Sequence, residues 1–330
     1  MRKFISGAIA ALTIAAAPAL AEYPEREIQG IIQWGAGGST DVVSRAVTPH
    51  AEEVLGARVI LQNVTGGVGA IGLNQAERAA ADGYTLLFGA ENPLLYKVMG
   101  LGQKDYADFI PINVLARGVP VLVARPDAPF DTFPELVEYI NANPGSLRFG
   151  STGPGGLPSV VTAMINDKTP IDVTAVPYDG DGPALTALQG GAVDVMPAVL
   201  GAAIEAVRAG NLKAIAIFDT DRVDQLPDTP AITETNPEFA DLLPWGPFFG
   251  IFAKQGTPDD VVAKLTEAYQ AGAANPDFLA LMEGRGFRML SLSGDEAQEF
   301  LDTWQRQTAW VLWDAEIAKN SPEDFGIERP

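Results

Sequence analysis

The stretch IQGIIQWGAGGSTD, residues 28–41, sets an apolar run directly against a glycine-rich turn that opens onto a helical pattern. Ile28–Trp34 reads as a buried strand, Gly35–Thr40 as the turn, and Asp41–Leu55 as a helix. The unit then repeats. Arg58–Asn63 is a strand, Thr65–Gly69 a second glycine turn, Ala70–Ala81 a helix, Asp82-Gly83 a turn and Tyr84–Gly89 a third strand. Strand–turn–helix–strand at this spacing predicts βαβ units on a parallel sheet, with right-handed crossovers.

The middle of the chain repeats the theme. Val119–Ala124 reads as a strand, Thr132–Asn141 as a helix closed by Asn143-Pro144-Gly145, and Arg148–Gly150 as a strand entering the glycine turn Ser151–Gly156. A helix from Leu157, strands Val173–Val176, Val193–Met196 and Ala214–Phe218, and a short helix Gly182–Gly190 follow. Pro230–Pro247 is loop-rich and Phe248–Ala253 is a late strand. Pro258–Ala274, Pro276–Glu283 and Asp295–Ala318 are helical. Pro120–Arg125 and Phe248–Lys254 look like two crossings between two sheet units, the layout of a clamp with a double hinge. Such α/β folds bind ligands where loops at the carboxyl ends of strands meet.

Composition narrows the chemistry. The chain has 330 residues, 42 Asp+Glu against 22 Lys+Arg, one His, no Cys and 47% hydrophobic residues. That is a globular composition with room for a large core. A formal charge of -20 argues against a nucleic-acid or anionic-membrane surface. Without Cys there are no disulfides, thiolate nucleophiles, zinc–thiolate sites or iron–sulfur clusters. A lone His50, set among polar helix residues, argues against a His triad or a multi-His metal site. No metal and no cofactor is expected.

The first residues read as an address. Arg2 and Lys3 precede the apolar Phe4–Ala17, and Ala19-Leu20-Ala21 is a small-x-small cleavage signal. This predicts a signal peptide over residues 1–21 and an exported protein. Its removal takes away two basic residues and makes the chain two units more negative.

Three glycine loops are the candidates for function. Gly37, Gly38, Ser39, Thr40 and Asp41 follow a strand and open a helix, so backbone N–H groups, two hydroxyls and the positive helix end form an anion cradle without Lys or Arg. The bland alternative is a tight turn with Ser39 or Thr40 as N-cap. Gly150–Gly156 has the same logic in the second unit, so Ser151, Thr152 and Gly153 are placed to face the first loop. Gly67-Val68-Gly69-Ala70-Ile71-Gly72 matches G-x-G-x-x-G, with Glu91 near the position of a ribose-binding acid. It supports an alternative reading as an exported dinucleotide-dependent oxidoreductase. Against it, another βα unit comes first and no acid–base partner for hydride chemistry is visible; the bland reading is a glycine turn for close helix packing. Asp179-Gly180-Asp181-Gly182 begins like a calcium loop but lacks the closing Glu. It reads as a turn at a helix start, beside Tyr178. Trp304, Trp310 and Trp313 read as core, and Trp245 as a residue near the cleft or hinge.

Several motifs taken in order resemble one family. WGAGGSTD (34–41), NVTGGVGAIG (63–72), DGYTL (82–86), NPGSLRFGSTG (143–153), VPYDGDGPALTALQGGAVD (176–194), LPDT (226–229) and GTPDDVVAKL (256–265) are similar to the Bug/TctC periplasmic solute receptors of tripartite tricarboxylate transporters. The likeness runs from Tyr23 to about Asp314. It implies a type II periplasmic binding fold, with lobe 1 formed by residues 22–121 and 248–330 and lobe 2 by residues 122–247. It further implies a monomer that binds a small carboxylate without turnover and passes it to a permease of one large and one small subunit. The resemblance maps ligand contacts onto Gly37, Gly38, Ser39, Thr40 and Asp41, onto Ser151, Thr152 and Gly153, and onto the variable segment Ala90, Glu91 and Asn92. Tyr178 and Asp181 fall in a segment that borders the cleft. Two positions depart from the pattern: Ser159 stands where many members have His, and Glu91 where many have small polar residues. If Glu91 faces the cleft, it is expected to accept a hydrogen bond from a ligand hydroxyl or amino group.

Overall fold

The computed structural model describes residues 23–330; the expected signal segment lies outside the described residues. The chain builds two sheets. In the first half come β1 (Ile28–Ile32), α1 (Ser39–Leu55), β2 (Val59–Asn63), α2 (Ala70–Arg78), β3 (Thr85–Ala90), α3 (Tyr96–Met99) and β4 (Phe109–Arg117). The second sheet is made by β5 (Pro120–Ala124), β6 (Arg148–Ser151), β7 (Thr174–Pro177), β8 (Val195–Val199) and β9 (Lys213–Ile217), with α4 (Phe133–Ala142), α5 (Leu157–Lys168), α6 (Asp181–Gln189) and α7 (Leu200–Arg208) between them. After the short α8 (Ile232–Thr235), the chain returns to the first sheet as β10 (Phe248–Lys254). It finishes with α9 (Asp259–Ala273), α10 (Pro276–Gly284), β11 (Arg288–Leu292) and α11 (Gly294–Asp314).

The strand orders are β11-β4-β10-β3-β1-β2 and β7-β6-β8-β5-β9. The expected parallel pairs are present: β1 lies parallel to β2 and β3, and β6 to β7 and β8. Both sheets are nevertheless mixed. β10 runs antiparallel to β3 and β4, and β5 antiparallel to β8 and β9. β5 and β10 begin at the crossings, at the edge where the parallel strands end, and so run opposite to those strands; β11 is reversed too, pairing antiparallel with β4. α3, β4, α7, α8 and β11 have no counterpart among the sequence expectations. β4 carries Pro111 and the buried Asn113, which blur its strand pattern, and its pairing with β10 shifts register twice.

The crossings lie just upstream of the stretches read as crossings. β5 and β10 each sit wholly in one sheet, and the chain passes between sheets at Gly118–Val119 and at Pro247. Here the two segments run side by side. Gly118 N donates to Pro247 O at 2.8 Å. Arg117 clamps the pair by donating to Trp245 O at 2.8 Å and to Asp219 Oδ2 at 3.1 Å. Trp245 is buried behind the crossing, donating from Nε1 to Thr308 Oγ1 and packing on Trp304, so α11 braces the hinge from the rear.

The close approach of these segments depends on Gly246. A Cβ there would lie 2.0 Å from Gly118 O, a backbone atom that cannot move aside alone. Gly246→Ala should therefore lower the melting temperature by several degrees, since overpacking of this kind costs about 1–3 kcal/mol. An unchanged melting curve would show that the crossing segments are looser than described.

Candidate functional site

Five strands end around one small cavity between the sheets. It is lined by Trp34, Gly38, Ser39, Thr40, Ala90, Glu91, Asn92, Thr152, Leu157, Gly180, Asp181, Val199, Pro247 and Phe249. None of these is Lys, Arg or His. The cavity volume is about 30 Å³, room for roughly two water molecules.

Four helices begin at its wall. α1 starts at Ser39 after Gly38, α5 at Leu157 after Gly156, α6 at Asp181 after Gly180, and α7 at Leu200 after Val199; none carries a side-chain cap. By contrast, α4, away from the cavity, is closed by a capping box of Thr132 and Glu135. The first N–H groups of a helix have no partner within the helix, and its dipole adds positive potential there. The N–H groups of Ser39 and Thr40 have no acceptor among the described residues. α1 begins two residues earlier than expected, so Gly38 is the cap. Ser39 and Thr40 then belong to the first turn, and the Ser39 hydroxyl is free to reach across the cavity.

Contacts across the cavity hold it nearly shut. Gly35 N donates to Asp179 O at 2.8 Å, Ser39 Oγ to Asp181 Oδ2 at 3.1 Å, and Leu157 N to Glu91 Oε1 at 3.2 Å. Gly182 sits so close to the first loop that an added Cβ would lie 2.3 Å from Ala36 O. Val68, at φ 59, rests its side chain against Gly153.

Two carboxyls face this space, Glu91 buried and Asp181 partly buried. Burial pushes the Glu91 carboxyl up to about 8, with the nearby Asp181 charge adding to the rise and backbone N–H groups, including that of Leu157, opposing it. Burial likewise pushes Asp181 up to about 6, against hydrogen bonds from Ser39 and the Val199 backbone. Asn92 Nδ2 is buried with no hydrogen-bond partner among the described residues.

Eight of the residues singled out from sequence line the cavity: Gly38, Ser39, Thr40, Ala90, Glu91, Asn92, Thr152 and Asp181. The other five hold the loops that shape it. Gly37 supplies a left-handed turn (φ 77) and its N–H donates to Asp41. Asp41 turns away to accept from Gly37, Arg45 and Asn63. Ser151 Oγ accepts from Gly153 N, and Gly153 takes φ 96. Tyr178 N donates to Ser151 O, while its ring packs on the second sheet's core. Trp34, Leu157, Gly180, Val199, Pro247 and Phe249 were not singled out. Trp34 and Leu157 adjoin the glycine loops and could have been; Val199 comes at the carboxyl end of β8, and Pro247 and Phe249 arrive only through the crossing. The Gly67–Gly72 segment stands outside the cavity lining. Gly72 lies where a Cβ would come within 2.8 Å of Val64 O, the mark of close helix–strand packing.

The chain and its fold have counterparts among known proteins. Residues 43–312 match the family model "Tripartite tricarboxylate transporter family receptor". The chain belongs to this family. Protein BugT of Bordetella pertussis is 33% identical to it over 301 residues, covering 84% of this chain and 90% of BugT. The structure of the periplasmic binding protein BugD superposes with a TM-score of 0.85 at 29% identity, covering 90% of this chain and all of BugD. MatC of Rhodopseudomonas palustris, solved with bound malate, superposes with a TM-score of 0.77 at 28% identity, covering 89% of this chain and 99% of MatC. The TctC receptor is thus a two-sheet periplasmic binding fold, as the ordered motifs implied.

The two cavity carboxyls give a sign to the pH dependence. The native state holds more protons than the unfolded chain between 4.5 and about 8 at Glu91, and between 3.8 and about 6 at Asp181. Their stabilisation is full below those lower values and is lost as pH rises through the folded ones. Glu91→Gln should therefore gain melting temperature relative to the parent as pH goes from 5 to 8. A gap that stays constant or shrinks would show that Glu91 is not buried in this way.

Proposed function

We propose that this TctC receptor captures a small carboxylate in the cavity between its sheets and delivers it to a membrane permease of the tripartite type, with one large and one small subunit. The observation that carries this reading is the meeting of uncapped helix N-termini at a cavity with no basic residue. Such a site replaces the water of a carboxylate with fixed N–H and O–H donors, each charge-assisted hydrogen bond contributing about 1.5–3 kcal/mol. Ser39, Thr40, Asn92 and Thr152 surround the anion, while Gly37, Asp41, Ser151, Gly153 and Tyr178 hold the loops.

The proposed lobes divide at the crossings, so the boundary expected at residue 121 moves back: residues 23–118 with 248–330, and residues 119–247. The near-closed cavity is the state a ligand stabilises, and entry requires opening about the paired crossings at Gly118 and Pro247. Ligand then shifts the population toward closure by its better affinity for the closed form. The leader would be cleaved and the receptor would work in the periplasm as a monomer, releasing its ligand unchanged. Among the described residues no helix is long and apolar enough to cross a membrane.

In a thermal-shift screen, some mono-, di- or tricarboxylate should raise the melting temperature, by mass action on the bound native state, and be recovered chemically intact. Ser39→Ala with Thr40→Ala should weaken that binding roughly 10–100-fold with the fold retained, equivalent to losing about 1.5–3 kcal/mol. Unchanged affinity in the folded double variant would remove the first loop from the site.

A further inference from the structure

Glu91 and Asp181 enter the cavity from opposite sheets; Glu91 is buried at 4% exposure, and Asp181, between Gly180 and Val199 in the lining, is partly buried. Elsewhere in this chain buried acids have cationic partners: Asp219 has Arg117, Asp105 has Lys97 and Asp41 has Arg45. The cavity pair has none, for no Lys, Arg or His lines the space. Beside the acids stand the opposite chemistry, the free first-turn N–H groups of α1 and the unpartnered, 2%-exposed Asn92 Nδ2. One cavity therefore holds an unmatched anion site and an unmatched cation site.

We infer that the ligand is a small zwitterion, a carboxylate that also carries an ammonium group: the carboxylate is held by the α1 N-terminus and Asn92, and the ammonium by Glu91 and Asp181. This deepens the carboxylate-capture reading and rests on it. An isolated buried carboxylate costs several kcal/mol, which a paired and hydrogen-bonded cation offsets. A plain dicarboxylate would instead add a second anion to two protein acids, and one of them would have to take up a proton. The groups around Glu91 leave it as the titrating partner. Asp181 faces it from α6. The phenols of Tyr96 on α3 and Tyr106 are pushed up by burial and stay neutral. Lys97 is committed to Asp105 at 2.6 Å. The α5 N-terminus contributes only the Leu157 N–H.

The test uses matched pairs differing by one ammonium group: L-alanine against propionate, and L-aspartate against succinate. Affinities are measured by titration calorimetry on the mature receptor in two buffers of different ionisation enthalpy. At least one amino compound should bind at least tenfold more tightly than its plain partner and release protons at pH 7, because Glu91 must ionise to meet the ammonium. In Glu91→Gln, checked for fold by its melting curve, the preference should shrink to below threefold and the proton release should fall. Equal or better binding of the plain acids, or proton uptake on binding, would overturn the zwitterion inference while leaving carboxylate capture standing. Failure of a broad panel of carboxylates, amino or plain, to bind would overturn both.

Discussion

Four helices start at one point in this molecule, and their first peptide N–H groups cannot be satisfied by the helices themselves. Most helix ends settle this with a side-chain oxygen, as Thr132 does for α4, or with water. Around the cavity the caps are Gly38, Gly156, Gly180 and Val199, which offer no side-chain acceptor. Leu157 N donates to Glu91 and Leu200 N to Val119 O, which leaves the first-turn N–H groups of Ser39 and Thr40 without an acceptor among the described residues. The loops that reach the cavity are built to keep it open to an acceptor. Asp41, the one acid in the first turn of α1, is tied back to Gly37, Arg45 and Asn63 and does not fill the place itself.

The rest of the architecture follows from that convergence. Parallel βα units put every helix start at the carboxyl end of a strand, so two such sheets facing each other bring their helix starts together. In the proposed function, the paired crossings are the hinge that makes this convergence reversible. Arg117 and the Gly118–Pro247 contact join the crossings side by side. Across the cavity itself the sheets are linked by a few polar contacts, such as Ser39 with Asp181 and Leu157 with Glu91. Such contacts are weak individually and can be exchanged for contacts to a ligand, which suits a closure controlled by binding.

Much of this was legible in the residues. The Gly-Ser-Thr repeats after two apolar runs pointed to two loops that the structure brings to one cavity, Ser39 and Thr40 from one side and Thr152 from the other. The position of Glu91 after β3 followed from counting βα units. What escaped the sequence depends on tertiary context. β4 hides behind Pro111 and the buried Asn113, whose Nδ2 donates to Ser293 Oγ at 3.1 Å. Pro247 and Phe249 reach the cavity only because the chain crosses sheets at Pro247, and Val199 because β8 runs three residues past the expected strand Val193–Met196. Asp41 looked like a ligand contact because local spacing cannot tell an acid facing a cavity from one folded back on its own loop.

The central claim is that backbone donors at these helix starts hold the anion, and amide chemical shifts report it directly. In a nitrogen–proton correlation spectrum of the mature receptor titrated with a carboxylate that stabilises it, the amide protons of Ser39 and Thr40 should move strongly downfield. Those of Thr132 and Glu135, at the capped start of α4, should stay in place. Saturation of the ligand with the Ser39 and Thr40 amides unmoved, and the largest shifts elsewhere, would contradict the account.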